Sequence, residues 1–414
     1  MANIKNSIEK HRTEVVIDEI GMPEKAETHK SNIELEQSLY RLIKKSLRPN
    51  EFENPIYGAV LHIEAPRLGL SWSDAVGISD PVSEAALTVK HPLRIASVTK
   101  TYVAVATLRL YEDKSLDLDA RISRHISAEH QDILIHRGYQ PDRITIRHLL
   151  THTSGLFDYG DSQEFAFKTE TNFTHHWSRT EQLQLAMSAG KAYGQPGEVY
   201  RYSDTGYILL GEIIERTTAQ SLGLALRQLL NYPSLGLNTT WLEQDEPAPK
   251  NSSPRAHQYL GNKDAYEFSP SADSYGGGGL VATTSDVAYF WQALFTNKVF
   301  KHPTTLNTML TTVAATRGGP IYFGTYPQIP GDYRMGIEVE NLNGLTVYFH
   351  RGFWGSYAGY CPELNATISL SLTQSVSFKE KRALFCNVLN LLNKAIPHSG
   401  DQPANNHRHQ SLNA

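Results

Sequence analysis

The chain has 414 residues, 40% of them hydrophobic and 20% charged, with a formal net charge of −4. That is enough apolar material for a large core in one or two units, and the lack of a long basic block argues against nucleic acid or an anionic membrane surface as a partner. No apolar run reaches bilayer length, the first residues lack the apolar core of an export signal, and Cys361 and Cys386 are too few for a disulfide framework or a thiolate metal site; the expected setting is the reducing cytoplasm, with both thiols free.

Residues 1–33 are polar, without steady periodicity, and read as an N-terminal extension. Ile33, Leu35, Leu39, Leu42, Ile43 and Leu47 recur at helical spacing and predict an amphipathic helix. Two strands follow, Tyr57 to Glu64 and Gly69 to Gly77, joined by a Pro-containing turn. Val103 to Leu110 is an apolar, helix-competent run entered near Ser97. After a turn at Leu116 and a weakly patterned stretch to Tyr139, a short helix is entered at Thr145 and stopped near Ser154 and Gly155. Asp158 to Trp177 reads as loop. Thr180 to Ala189, Tyr207 to Thr217 and Ser221 to Leu230 read as helices. The glycines at 276–279 precede a capping signal, Thr284, Ser285 and Asp286, for a helix over Val287 to Phe295. Strands over Tyr333 to Val339, Leu345 to His350, Ser356 to Tyr360 and Ala366 to Thr373 lead to a closing helix, Lys379 to Ala395. The polar tail, 397–414, is expected to be disordered. Strands at both chain ends with helices between predict an α+β fold: an antiparallel sheet built from both ends, flanked by helices and carrying an inserted all-helical region. One domain over 34–396 then has a sheet-bearing part, about 34–110 and 276–396, and a helical part, about 111–275.

The chemistry concentrates at Ser97-Val98-Thr99-Lys100. A serine at a helix N-terminus feels the positive end of the backbone dipole, which favours developing negative charge. Lys100 lies one turn on, on the same face. In an apolar helix it loses hydration, which lets it act as a base near neutrality. Ser-x-x-Lys thus pairs a nucleophile with its activator. Two further stretches complete a set: Tyr202-Ser203-Asp204 in a turn before a helix, and His350-Arg351-Gly352 at a strand end, followed by Phe353-Trp354-Gly355.

The order and spacing of these three stretches resemble the serine β-lactamase and penicillin-binding-protein superfamily. The nearest part of it is the branch of class C β-lactamases, D-alanyl-D-alanine carboxypeptidases, D-aminopeptidases and related esterases. The linking segments at Leu116 to Asp119, Ile144 to Leu156, Pro196-Gly197, Gly206 to Gly211 and Gly278 to Thr283 are similar too. The resemblance spans about Gly58 to Thr373 and implies a β-lactamase/transpeptidase-like fold. By it, Ser97 is the acylated nucleophile, Lys100 its base or proton relay, and Tyr202 the shuttle to the leaving group. The oxyanion hole is then the backbone N–H groups of Ser97 and Phe353, worth roughly 3 kcal/mol per donor. Asp204, His350, Arg351 and Gly352 bind substrate, with Gly352 letting the strand approach it without a Cβ.

Two residues depart from the pattern. Asp204 stands where an Asn is usual; a carboxylate accepts but cannot donate to a substrate carbonyl, and it favours Lys100 as a cation. Tyr202 is then expected to be the principal base. Asp204→Asn should raise amide turnover, and an unchanged or lower kcat would count against this. His350-Arg351 replaces Lys-Thr. If the substrate carries a carboxylate, its KM should rise as His350 loses its proton, with Arg351 able to compensate in bidentate fashion.

Other signals carry less. His148 and His152 share a helical face as a zinc pair would, but the acid-base Glu of His-Glu-x-x-His and a third ligand are missing. No Gly-x-Ser-x-Gly elbow is present, and the glycine run lacks the Lys-Ser/Thr of a phosphate loop. The expectation is a serine acyl hydrolase without cofactor or metal, taking a small-molecule or short peptide substrate through a Ser97 acyl-enzyme, as a D-amino-acid peptidase, a carboxypeptidase or a β-lactamase-like enzyme. The alternatives are a carboxylesterase or transacylase on the same fold, and a non-catalytic binding relative.

Overall fold

The structure is a computed structural model that describes residues 23–312, 317–318 and 333–396. Strand β1 (Gly58–Ala65) turns through Pro66–Leu68 into β2 (Leu70–Asp80), with the short β3 (Ala85–Ala86) at its edge. From the other chain end come β4 (Glu338–Leu342), β5 (Leu345–Arg351), β6 (Ser356–Cys361) and β7 (Ala366–Leu372). They form one antiparallel sheet in the order β4-β5-β6-β7-β1-β2-β3, closed between the two ends by the register Ala59 to Leu372 and Leu61 to Leu370. The helices that frame this sheet and the site are α1 (Pro23–Lys45), α2 (Thr99–Glu112), α3 (Asp204–Thr218), α4 (Thr284–Phe295) and α5 (Phe378–Ala395).

Period-two alternation decides which residues face which layer. Ala59, Leu61 and Ile63 of β1 and Ile368, Leu370 and Leu372 of β7 share a core with Leu39 and Ile43 of α1 and Leu384, Phe385 and Val388 of α5. The opposite face packs on α4, where the Thr367 hydroxyl donates to the Gln292 side-chain oxygen at 2.6 Å. A second large core joins the helices between the strands to the sheet: α2 is buried in it from Thr99 through Leu108, together with Phe290 and Trp291 of α4 and Ala358 and Tyr360 of β6. A small sheet of Leu93–Arg94, Leu280–Ala282 and Thr240–Leu242 ties the two parts together and holds both approaches to the site.

Several boundaries differ from expectation. Helix α1 begins at Pro23, ten residues before Ile33, because proline suits a first helical turn and Glu, Lys and Ala follow. The rest of the extension and the tail lie outside the described residues. Strand β4 begins at Glu338, not Tyr333: Gly336 at φ +72° turns the chain, and Tyr333 makes only an isolated bridge. The stretch read as loop contains the helix Gln163–Thr171, capped by Ser162, and the weakly patterned stretch holds Ala128–His136, capped by Ser127. Both are short helices whose caps, rather than apolar stripes, mark them. The cap of α4 is Thr283. Both thiols are free, and among the described residues no helix is long and apolar enough to cross a membrane.

Candidate active site

The 3-10 turn Ala96–Val98 delivers Ser97 to the start of α2, and Ala96 sits at φ +45°, an uncommon conformation for a residue with a Cβ. Ser97 is 9% exposed and Lys100 fully buried. The Lys100 ammonium donates to Ser97 Oγ at 2.9 Å and to the Gly277 carbonyl at 2.6 Å, and it pairs with the Asp204 carboxylate. Three acceptors match three N–H groups, so the resting lysine is the cation. The glycine run is therefore part of the site: it brings a backbone carbonyl to Nζ.

Tyr202 precedes α3 and its hydroxyl hydrogen-bonds the Ser97 side chain. Burial, then the charge of Asp204, pushes its pKa well above the usual phenol value. The resting side chain is thus a neutral phenol. Tyr202 can still relay a proton by accepting one as it gives up its own. His152, at φ +54°, accepts the Ser203 N–H at 3.1 Å and packs against Tyr202 with the rings tilted by 34° and their centroids 4.2 Å apart. Burial, then Lys100, keeps His152 neutral. His148 instead accepts the Thr145 N–H in a capping box. The two histidines thus serve separate structural ends.

On the sheet side, β5 ends at Arg351 and the turn Gly352 to Gly355 lies against the Ser97 turn. Ser356 Oγ donates to the Ile95 carbonyl at 2.7 Å, and a Cβ on Gly352 would lie 2.2 Å from that same oxygen. The close approach needs glycine. His350 is buried, donating from Nδ1 to the Arg351 carbonyl at 2.8 Å and meeting the Tyr333 hydroxyl at Nε2, 3.2 Å away. Burial, then Lys100, holds its pKa well below the usual imidazole value. The expected titration against a substrate carboxylate therefore falls outside the neutral range. Arg351 pairs with Glu338 at 2.5 Å, which commits its guanidinium to the neighbouring strand.

Ser97, Asp204 and Phe353 line a cavity of about 310 Å³. Its apolar wall includes Phe165, Phe268 and Trp354, and its polar wall Asp158, Asp161 and Asp273. Arg94, also on the wall, is neutralised by Glu243 at 2.6 Å. Burial, then Asp204, raises the Asp273 pKa to about 7, and the Asp158 carboxyl is pushed well up by burial and its acidic neighbours. Sequence reasoning missed these aspartates. Asp158 stood in a segment read as loop, and nothing local marks Asp273 as facing Ser97. Among the described residues no cluster of His, Cys, Asp and Glu could hold a metal ion.

A helical part set against an antiparallel sheet, with a Ser-x-x-Lys turn between them, defines the β-lactamase/transpeptidase-like class of fold. A family model described as Beta-lactamase matches residues 67–389, and the chain belongs to that family. Penicillin-binding protein 4* of Bacillus subtilis is 26% identical over 296 residues, 66% of this chain and 59% of that protein. Esterase EstB of Burkholderia gladioli is 31% identical over 200 residues, 47% of this chain and 49% of that one. The chain thus spans about half to three-fifths of the length of these two relatives. The D-amino acid amidase of Ochrobactrum anthropi SV3, solved with L-phenylalanine amide, shares the fold at a TM-score of 0.71 and 22% identity, covering 88% of this chain and 100% of that one. A D-stereospecific amidohydrolase from Streptomyces sp. follows at 0.67 and 23%, covering 85% and 98%.

Proposed function

We propose that this chain is a serine acyl hydrolase whose substrate is a small amide bearing a protonated amine near the scissile carbonyl, such as an amino-acid amide or a peptide with a free N-terminus. The observation that carries the reading is the placement of Ser97, bonded to Lys100 and Tyr202, on a cavity walled by Asp158, Asp161, Asp204 and Asp273. Asp204 is paired with Lys100 and Asp161 with Arg201 at 2.8 Å, so it is the buried Asp158 and Asp273 carboxyls that favour a cation and oppose a carboxylate. That speaks for an aminopeptidase or amidase and against a carboxypeptidase. The aromatic wall suits an apolar side chain, and the amidases that share the fold support the D configuration as the first to try.

In this reading Ser97 Oγ attacks the carbonyl carbon, and the backbone N–H groups of Ser97 and Phe353 receive the oxyanion. The Ser97 proton passes to Tyr202 as the phenol hands its own proton to the departing nitrogen, and the C–N bond breaks. Water then cleaves the acyl-enzyme by the reverse relay. Lys100 remains a cation, orienting Ser97 and favouring the transient charge on both hydroxyls. The Asp204→Asn expectation stays in force on its other ground: the amide can donate to a substrate carbonyl, which the carboxylate cannot.

The test is to map a fluorophosphonate adduct to Ser97 by peptide mass and to compare D- and L-phenylalanine amide with N-acetyl-D-phenylalanine amide and p-nitrophenyl acetate. The free-amine amide should have a KM about tenfold below that of its acetylated form, as for one charge-assisted contact. That KM should fall further as Asp273 ionises on going from about pH 6 to 7, while the acetylated amide stays flat. Equal KM values would overturn the charge reading. Turnover of the ester alone would favour the esterase alternative, which the similarity to EstB supports. No adduct at all would leave a binding relative.

A further inference from the structure

Lys381, in the first turn of α5, is fully buried although it stands in the charged run Lys379-Glu380-Lys381-Arg382. Its Nζ donates to the Gly352 carbonyl at 2.7 Å. It also sits 4.3 Å from the centre of the Phe378 ring. A buried cation is costly unless it is paired or hydrogen-bonded, and the acceptor here is a backbone carbonyl. The Gly352 carbonyl belongs to the same peptide group as the Phe353 N–H, and that peptide lies in the turn held against Ile95, two residues before Ser97. A positive charge on the carbonyl side withdraws electron density from the amide and makes its N–H a stronger donor.

We propose that Lys381 is a positioning residue for the oxyanion hole: its ammonium fixes and polarises the Gly352–Phe353 peptide, so that Phe353 N–H meets the oxyanion as a strengthened donor. The proposal rests on the reading of Ser97 as nucleophile and Phe353 as oxyanion donor. The charged and titratable groups facing Lys381 are Arg351 and His350 on β5 and Glu338 on β4. Burial, then Arg351, lowers the lysine to about 7, with Glu338 opposing. The sign follows. Below neutrality the lysine is charged and the donor strong; as pH rises through about 7 the charge is lost and acylation slows.

The experiment is the pre-steady-state acylation rate of Ser97 with a p-nitrophenyl ester, across pH, for the unaltered chain and for Lys381→Met, which keeps the unbranched shape of the side chain and loses only its terminal ammonium. Near pH 6 the variant should acylate about tenfold more slowly with KM little changed, a part of the loss seen when a whole oxyanion donor is removed. Near pH 9 the two rates should converge. Asp273 also titrates close to 7, so Asp273→Asn is run beside it: the alkaline fall in acylation rate should persist there and vanish in Lys381→Met. An equal deficit at both pH values would mark Lys381 as merely structural and overturn the proposal, as would a wild-type rate with no fall near 7. The wild-type profile keeps the test valid if the variant fails to fold. Labelling of Ser97 with an unaltered pH profile would sink this inference alone, whereas absent labelling would sink the function beneath it.

Discussion

Replacing Lys100 with methionine should slow acylation of Ser97 about a thousandfold, within the range for losing a positioned proton-transfer partner. The lysine holds Ser97 Oγ, the Gly277 carbonyl and the Asp204 carboxylate at once. Without it the hydroxyl loses its orientation and the relay through Tyr202 loses the nearby positive charge. The same substitution should cost stability, because Asp204 is left largely buried without its counter-charge. Breaking one side of such a pair typically costs about 3–5 kcal/mol. Adding Asp204→Asn should recover most of that loss and none of the rate. Thermal melts and single-turnover labelling of the single and double variants separate the two effects. A double variant that regained activity would show that the lysine serves only to neutralise Asp204.

Gly352→Ala should be the second most damaging change. The new Cβ would lie 2.0 Å from Ser356 Oγ and 2.2 Å from the Ile95 carbonyl. The serine could rotate, but the Ile95 oxygen is backbone in the turn that carries Ser97. The strand end must therefore move away from Ser97, taking Phe353 N–H with it. A displacement of about 1 Å can cost about a hundredfold in rate, and overpacking of this kind costs about 1–3 kcal/mol. The expected signature is a lower kcat with a smaller change in KM, since the oxyanion exists only after attack. Near-wild-type acylation would mean that Phe353 is not an oxyanion donor.

What the sequence discloses here is what is local in it. Ser97 and Lys100 stand one helical turn apart, Tyr202 and Asp204 flank a helix start, and β5 to β7 show alternation strong enough to read. His152, Asp158 and Asp273 could not be found that way, because each meets Tyr202, Ser203 or Asp204 only through tertiary contacts between segments far apart in the chain. Lys381 had a signal that charge obscured. It is three, four and seven residues before Leu384, Phe385 and Val388, so helical phase places it on the buried face. Likewise, the charges of His350 and Arg351 suggested recognition of a carboxylate. Their true partners, Tyr333 and Glu338, lie across turns that periodicity does not predict.

The sheet's closure also sets a schedule. Strand β1 is the inner neighbour of β7, which begins at Ala366, some three hundred residues later in the chain. At about 5–20 residues per second, a ribosome needs on the order of 15–60 s to bring β7 within reach. Through that interval the open edge of β1 must wait without its partner, exposed to pairing with other chains. Ser97 and Lys100 emerge early, yet Gly352, Phe353 and Lys381 arrive near the end, so the proposed nucleophile is made long before the peptide proposed to receive its oxyanion.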